Sequence, residues 1–166
     1  MDAALLDRAR RLLEICRRAG LRLALAESCT GGLVAATLTE IPGASDVLDR
    51  AWVTYADRAK VEMLGVREAS LARWGAVSEV VAREMAEGAL HRAGVDLAAA
   101  VTGIAGPGGA TPDKPVGLVH FAVARRDRPT RHARQVFAGD RHAVRLQATA
   151  RVLALLEEAA TRPTVV

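Results

Sequence analysis

The sequence is poor in aromatic residues, poor in lysine and nearly without cysteine. Phe, Trp and Tyr make up 3% of its 166 residues, and Tyr55 is the only tyrosine. Proteins that hold single-stranded nucleic acid stack its bases on aromatic side chains set among basic ones. The scarcity of such residues, with no nucleic-acid motif in the chain, argues against that class, and no nucleic-acid partner is expected. Cys16 and Cys29 are the only cysteines. They fit neither a disulfide framework nor a metal-ligand spacing, so neither a disulfide nor a metal is expected. No run approaches the roughly 20 continuous apolar residues of a membrane span, and the charged periodic start at Met1-Asp2-Ala3 holds no signal-peptide core. A cytoplasmic protein without a membrane partner is expected.

What is present describes one globular domain over residues 1–166, with 51% apolar and 25% charged residues. A chain of this length buries roughly 70% of the surface its unfolded form exposes, enough for a core without staples. Of its 23 basic residues 21 are Arg, and the lysines are Lys60 and Lys114. Lysine can lose its proton when buried and arginine cannot, so each lysine is a candidate proton acceptor, with chance as the alternative. The net charge is +4. Between Arg125 and Arg151 eight arginines face only Asp127 and Asp140, giving +6 and leaving −2 for the remainder. That basic end reads as a solvated edge strand and helix, or as a phosphate-ester site.

Leu5, Leu6, Ala9, Leu12, Leu13 and Cys16 recur at helical spacing before Gly20, which predicts an opening amphipathic helix. Leu21 to Ala26 reads as a buried strand, followed by the turn Glu27-Ser28-Cys29-Thr30-Gly31-Gly32 and a helix to about Glu40. Ala51 to Tyr55 reads as a second strand. Asp57 is placed to cap a helix through Leu64, stopped by Gly65. Glu68 to Trp74 predicts a further short helix, and Ser78 caps a longer one that ends at Gly94. Asp96 to Thr102 has the small apolar residues of a central strand. Val116 to Ala124 and Arg131 to Phe137 flank a turn and predict an antiparallel hairpin, and Asp140 caps a last helix to about Ala160. This order predicts an α/β fold: a three-layer α/β/α sandwich on a mixed, mostly parallel five-stranded sheet with a C-terminal antiparallel hairpin.

In open α/β sheets reactive groups gather at the carboxyl ends of the strands. Ser28 stands where a strand turns into a helix, beside the backbone N–H groups of Thr30, Gly31 and Gly32. Such amides can hold an oxyanion or a phosphate, although Ser28 or Thr30 could equally serve as a simple helix cap. Tyr55 and Lys60 lie five residues apart at the next strand end. A neutral buried amine can take the proton of a serine hydroxyl, and a phenol can relay it. A surface lysine beside a core-edge tyrosine is the plainer alternative. Cys29 is the rival nucleophile, because a thiol at a helix N-terminus ionises more readily. His91, His120, His132 and His142 read as surface or hydrogen-bonded histidines. Thr102 and the glycines from Gly103 through Gly106 to Gly109 could approach an anionic ligand or form a mobile loop.

Taken together, Ala26-Glu27-Ser28-Cys29-Thr30-Gly31-Gly32, Val53-Thr54-Tyr55 with Ala59-Lys60, Leu64-Gly65-Val66, Gly75-Ala76-Val77-Ser78, Gly103-Ile104-Ala105-Gly106-Pro107 and Lys114-Pro115-Val116-Gly117 resemble the CinA C-terminal domain family, the nicotinamide-nucleotide amidases. The resemblance runs in order along nearly the whole chain, to Gly139-Asp140-Arg141 and beyond. It implies hydrolysis of the carboxamide of nicotinamide mononucleotide to nicotinic acid mononucleotide and ammonia. By motif it implies Ser28 as nucleophile, Lys60 as base and Tyr55 as proton helper. Thr30, Gly31, Gly32, Thr102, Gly103, Gly106 and Arg141 then hold the substrate, Arg141 at its phosphate. A small-molecule pyridine nucleotide, no cofactor and a homo-oligomer of two or more copies are expected. Many members carry a further N-terminal nucleotide pyrophosphatase-like domain that these 166 residues do not contain, so the resemblance implies the amidase half. After Tyr55, Ala56-Asp57-Arg58 replaces the Ser-Asn-rich turn of many relatives, so contacts from that turn are not implied. The alternatives are a non-catalytic nucleotide-binding or competence-associated partner-binding module, and a nucleic-acid binder working through the Arg125 to Arg151 segment.

Overall fold

The computed structural model describes residues 1–163. Its first helix, α1 (Ala3–Ala19), begins at Asp2, whose carboxylate accepts from the Ala4 N–H, and ends at Gly20 in the left-handed conformation. The chain continues through β1 (Leu23–Glu27), α2 (Leu33–Thr39), β2 (Leu48–Val53), α3 (Asp57–Leu64), α4 (Glu68–Trp74), α5 (Glu79–Ala93), β3 (Leu97–Gly103), β4 (Leu118–Arg125), β5 (Arg131–Val136) and α6 (Arg141–Thr161). The sheet order is β2-β1-β3-β4-β5. β1 runs parallel to β2 and β3, while β4 is antiparallel to β3 and to β5. The expected mixed sheet between helical layers is therefore present.

Side chains alternate along a strand, so each central strand serves two cores. Leu23 and Leu25 of β1 and Leu97, Ala99 and Val101 of β3 face a large core completed by buried residues of α1, α2 and α6, among them Leu12, Leu13, Leu38, Leu153 and Leu156. Ala24, Ala26, Ala98 and Ala100 point the other way, onto Val81, Ala82, Met85, Ala86 and Ala89 of α5. The second core is mostly alanine, which lets α5 lie close to the sheet. The approach of α3 is closer still. A Cβ on Gly88 of α5 would stand 1.9 Å from the Leu64 carbonyl oxygen, so only glycine fits there.

Several boundaries differ from the sequence reading, β1 among them, which spans Leu23–Glu27 rather than Leu21 to Ala26. β2 starts at Leu48 rather than Ala51 and stops at Val53, two residues before Tyr55. As an edge strand it tolerates the polar pair Asp49 and Arg50 that hid its start, and the Thr54 N–H makes the last bond to β1, at the Glu27 carbonyl. β4 starts at Leu118 rather than Val116 because Gly117 intervenes at φ 91°, where a Cβ would meet the Phe137 carbonyl oxygen at 2.0 Å. Asp57 is the first residue of α3 rather than its cap, since Ala56 holds the cap position with no side-chain bond. Ser78 and Asp140 cap α5 and α6 as expected, accepting from Val81 and Ala143 N–H.

Candidate active site

The alternation of β1 continues one residue past the strand and sends Glu27 and Ser28 to opposite faces. Glu27, 1% exposed, turns to α2 and accepts the Val34 and Ala35 N–H groups at 2.9 and 3.0 Å. It is the acceptor for the free donors of that helix, the role the sequence reading left open for Ser28 or Thr30. Gly32 occupies the cap position with no side-chain bond, and the buried Thr30 hydroxyl has no partner among the described residues. Gly31 and Gly32 have φ of 57° and 97°, values that favour glycine. The Gly31 N–H closes the turn on the Ser28 carbonyl at 3.0 Å. Of the three amides proposed as anion donors, Gly31 is thus engaged within the turn, whereas Thr30 and Gly32 donate to no protein acceptor among the described residues.

Ser28 is freed from capping and meets Lys60. The Lys60 side chain is 1% exposed and among the largest fully buried side chains. Its Nζ lies 3.1 Å from Ser28 Oγ and donates to the Thr54 carbonyl at 2.8 Å. Asp57 is the nearest carboxylate, 3.9 Å away and itself well exposed. Burial lowers the pKa of Lys60 from its ordinary 10.5, and Asp57 and Cys29 only partly oppose it. A neutral amine suits the geometry: it can donate one N–H to Thr54 and turn its lone pair to the serine hydroxyl. Burial disfavours the thiolate that Cys29 would need as the rival nucleophile. Burial raises its thiol to about 12, so it stays protonated at neutral pH despite its place at the turn.

A cavity of about 240 Å³ opens onto this pair, lined also by Tyr55, Ala76, Val77, Thr102, Gly103, Ala105 and Arg141. The structure thus brings together the serine, the lysine, the tyrosine, the strand-end threonine and the arginine singled out in the sequence. Their pairings are more specific than the sequence suggested. The exposed Tyr55 hydroxyl accepts from Arg141 Nη2 at 2.7 Å, and Arg141 Nη1 donates to the Gly106 carbonyl at 2.8 Å. Among the described residues no hydrogen bond joins Tyr55 to Ser28 or Lys60. Thr102 Oγ1 donates to the Ala76 carbonyl at 2.9 Å, holding one wall of the cavity. Gly103 packs so tightly that a Cβ would meet the Leu118 carbonyl oxygen at 2.8 Å.

Three participants escaped the sequence reading: Glu27, the Thr54 carbonyl, and Arg145. Arg145 of α6 donates to the Cys29 and Thr30 carbonyls at 3.1 and 2.9 Å. An acid ending an otherwise apolar strand was the available signal for Glu27. Nothing local marked Arg145, which is 115 residues away from Thr30. None of the four histidines lines the cavity. His120 Nδ1 and His132 Nε2 are 2.8 Å apart, a partnered pair as expected.

An α/β/α domain with a serine and a buried lysine at the carboxyl edge of its sheet defines the structural class. Residues 6–160 match the family model "CinA C-terminal domain", and the chain belongs to that family. It is 48% identical over 157 residues to the nicotinamide-nucleotide amidohydrolase PncC of Escherichia coli K12, covering 93% of this chain and 94% of that protein. A CinA-like protein of Akkermansia muciniphila is 57% identical over 139 residues, 84% of this chain but 34% of that longer protein. Among solved structures, the competence/damage inducible protein CihA of Agrobacterium tumefaciens superposes with a TM-score of 0.94 at 44% identity, covering 98% of each chain. Among the described residues no helix is long and apolar enough to cross a membrane.

Proposed function

We propose that this protein is a nicotinamide-nucleotide amidase, which hydrolyses the carboxamide of nicotinamide mononucleotide to nicotinic acid mononucleotide and ammonia. The observation that carries the reading is the buried Lys60 Nζ at 3.1 Å from Ser28 Oγ, in a family whose Escherichia coli relative bears the amidohydrolase name.

An amide is a poor electrophile, so the serine must be activated. Neutral Lys60 takes the Ser28 hydroxyl proton while Oγ bonds to the carboxamide carbon. The Thr30 and Gly32 N–H groups, which have no protein acceptor among the described residues, are the candidate donors for the oxyanion that develops, although neither residue lines the cavity of the free protein and Thr30 is fully buried. Collapse breaks the C–N bond, and Lys60 returns the proton to the departing nitrogen, releasing ammonia. A water then gives a proton to Lys60 and attacks the ester. The second tetrahedral intermediate expels Ser28 Oγ, which recovers its proton, and the carboxylic acid leaves. The Thr54 carbonyl orients the amine throughout.

Arg141 is the candidate phosphate partner, and its bond to Tyr55 gives the tyrosine a part in holding that arginine and shaping the mouth. Tyr55 lines the same cavity as Ser28 and Lys60, and its phenol remains the candidate proton helper. Ammonia release from nicotinamide mononucleotide by the wild-type protein tests the reading, with mass spectrometry of the chain for an acyl adduct on Ser28. Absence of turnover with retained nucleotide binding would instead identify a nucleotide-binding module.

A further inference from the structure

The nucleophile turn is held by two charged side chains, one from its first residue and one from outside it. From one side Glu27 accepts the Val34 and Ala35 N–H groups. From α6, Arg145 Nε and Nη2 each grip a carbonyl, those of Cys29 and Thr30. The guanidinium lies over the turn, its Nη2 3.5 Å from where a Gly31 Cβ would stand. Among the described residues it has no carboxylate within 4 Å, so the turn carbonyls are its partners rather than an ion pair.

A trans peptide plane points its N–H opposite to its C=O. Drawing the Cys29 and Thr30 carbonyls toward Arg145 therefore turns the Thr30 and Gly31 N–H groups away from it. Gly31 spends its hydrogen on the Ser28 carbonyl, leaving the Thr30 N–H with no protein acceptor among the described residues. Fixing the Ser28 carbonyl in turn fixes the backbone from which Oγ projects toward Lys60. We propose that Arg145 and Glu27 are positioning residues that set the peptide planes of the turn, and with them the direction of Ser28 Oγ and of the Thr30 N–H. The proposal rests on the reading of Ser28 as nucleophile.

The test compares Arg145→Ala, Arg145→Lys and Glu27→Gln with wild type, with Ser28→Ala alongside and Arg151→Ala, farther along α6, as a surface control. A displacement of about 1 Å at the reacting atoms is enough for a 100-fold loss, so folded Arg145→Ala is expected to lose about 100-fold in kcat with KM within threefold. Labelling of Ser28 by a fluorophosphonate should slow by the same factor. The midpoint of kcat/KM against pH should stay in place, because the burial of Lys60 and its contact with the Thr54 carbonyl do not involve Arg145. Lysine can reach only one of the two carbonyls in place of the fork, and the glutamine amide accepts at one oxygen only. Each of those variants should lose about tenfold in kcat, equal to roughly 1.4 kcal/mol of barrier. A folded Arg145→Ala with kcat within threefold of wild type overturns the proposal. Should that form not fold, Arg145→Lys decides: a tenfold loss at an unchanged melting temperature supports positioning, and wild-type kcat overturns it. Full activity in Ser28→Ala would remove the nucleophile reading itself, and the clamp with it.

Discussion

The two faces of the sheet are built for different ends, although the same strands supply both. On the face covered by α1, α2 and α6, leucine, valine and phenylalanine fill the core. On the face covered by α5, alanine dominates and Gly88 admits the backbone of α3. Large side chains bury more apolar surface and contribute most of the hydrophobic stabilisation. Small ones give up some of that gain but let helices approach. The close approach brings α3 to the strand ends and lets Lys60 reach Ser28. Stability and chemistry are thus separated across a single sheet, one residue out of phase.

The sharpest way to break this comparison is at the reactive pair. Ser28→Ala should abolish ammonia release, and Lys60→Arg should lower kcat/KM by about 10³-fold or more, within the range a general base contributes, because a guanidinium keeps its proton. Cys29→Ala should stay within about tenfold of wild type, under roughly 1.4 kcal/mol of barrier. The opposite ranking of Ser28 and Cys29 in an ammonia assay would assign the chemistry to the thiol.

Leu12→Ala, on the large face and fully buried, should cost about 2–5 kcal/mol of stability in urea unfolding while leaving kcat within twofold. Gly88→Ala should cost less stability, about 1–3 kcal/mol for overpacking, and should lower kcat by moving α3. If Leu12→Ala harmed kcat more than Gly88→Ala did, the division of labour between the faces would be wrong.

Titration sharpens the contrast further. Burial lowers the pKa of Lys60 in the folded protein, so kcat/KM should rise with pH to a midpoint below 10.5. For stability, the penalty of a charged buried amine is present below the folded pKa and fades as pH rises toward the unfolded value. Lys60→Met should therefore melt higher than wild type at pH 7 while being inactive. A lower melting temperature would show that the contacts of Lys60 outweigh its burial cost.

The smallest effect is expected at His120, whose side chain lies on the small face opposite Thr102. Burial, then His132, Arg134 and Lys114, push its pKa down to about 4, against a weaker opposing effect of Glu79. Burial also lowers the pKa of its partner His132, against the opposing effect of Glu79 and with Arg83 and Arg134 adding to the decrease. A histidine that stays neutral when folded but protonates near 6.5 when unfolded gives up stability as pH falls from 6.5 toward 4. Urea midpoints across that range should decline, and His120→Gln should flatten part of the decline.

Much of this was legible before any coordinates. Local signals carried the helices: Gly20, Gly65 and Gly94 stop α1, α3 and α5 in the left-handed conformation, and Ser78 and Asp140 start α5 and α6 where the pattern put them. Hydrophobic period carried β1 and β3 but failed at β2, because an edge strand is free to display Asp49 and Arg50. For the candidate site, residue types at strand ends pointed to Ser28, Lys60, Tyr55 and Thr102, the family resemblance added Arg141, and the fold gathers all five around one cavity. The sequence did not disclose who bonds whom. The Tyr55 hydroxyl accepts from Arg141, 86 residues later, and the cap of α2 came from Glu27. Partnerships of that kind depend on how layers stack, a relation that no local window contains.

Arg141 illustrates what such a partnership does beyond holding two loops together. A guanidinium has five N–H donors, and only two are engaged by Tyr55 and Gly106. An anion arriving at the mouth meets a cation already fixed in direction, with three hydrogens still to offer. Neither existing bond has to break. On the phosphate reading of Arg141, the empty mouth already has its binding shape, so affinity would not be diluted by a minority population. The free and liganded proteins should superpose closely at Tyr55, Gly106 and Arg141.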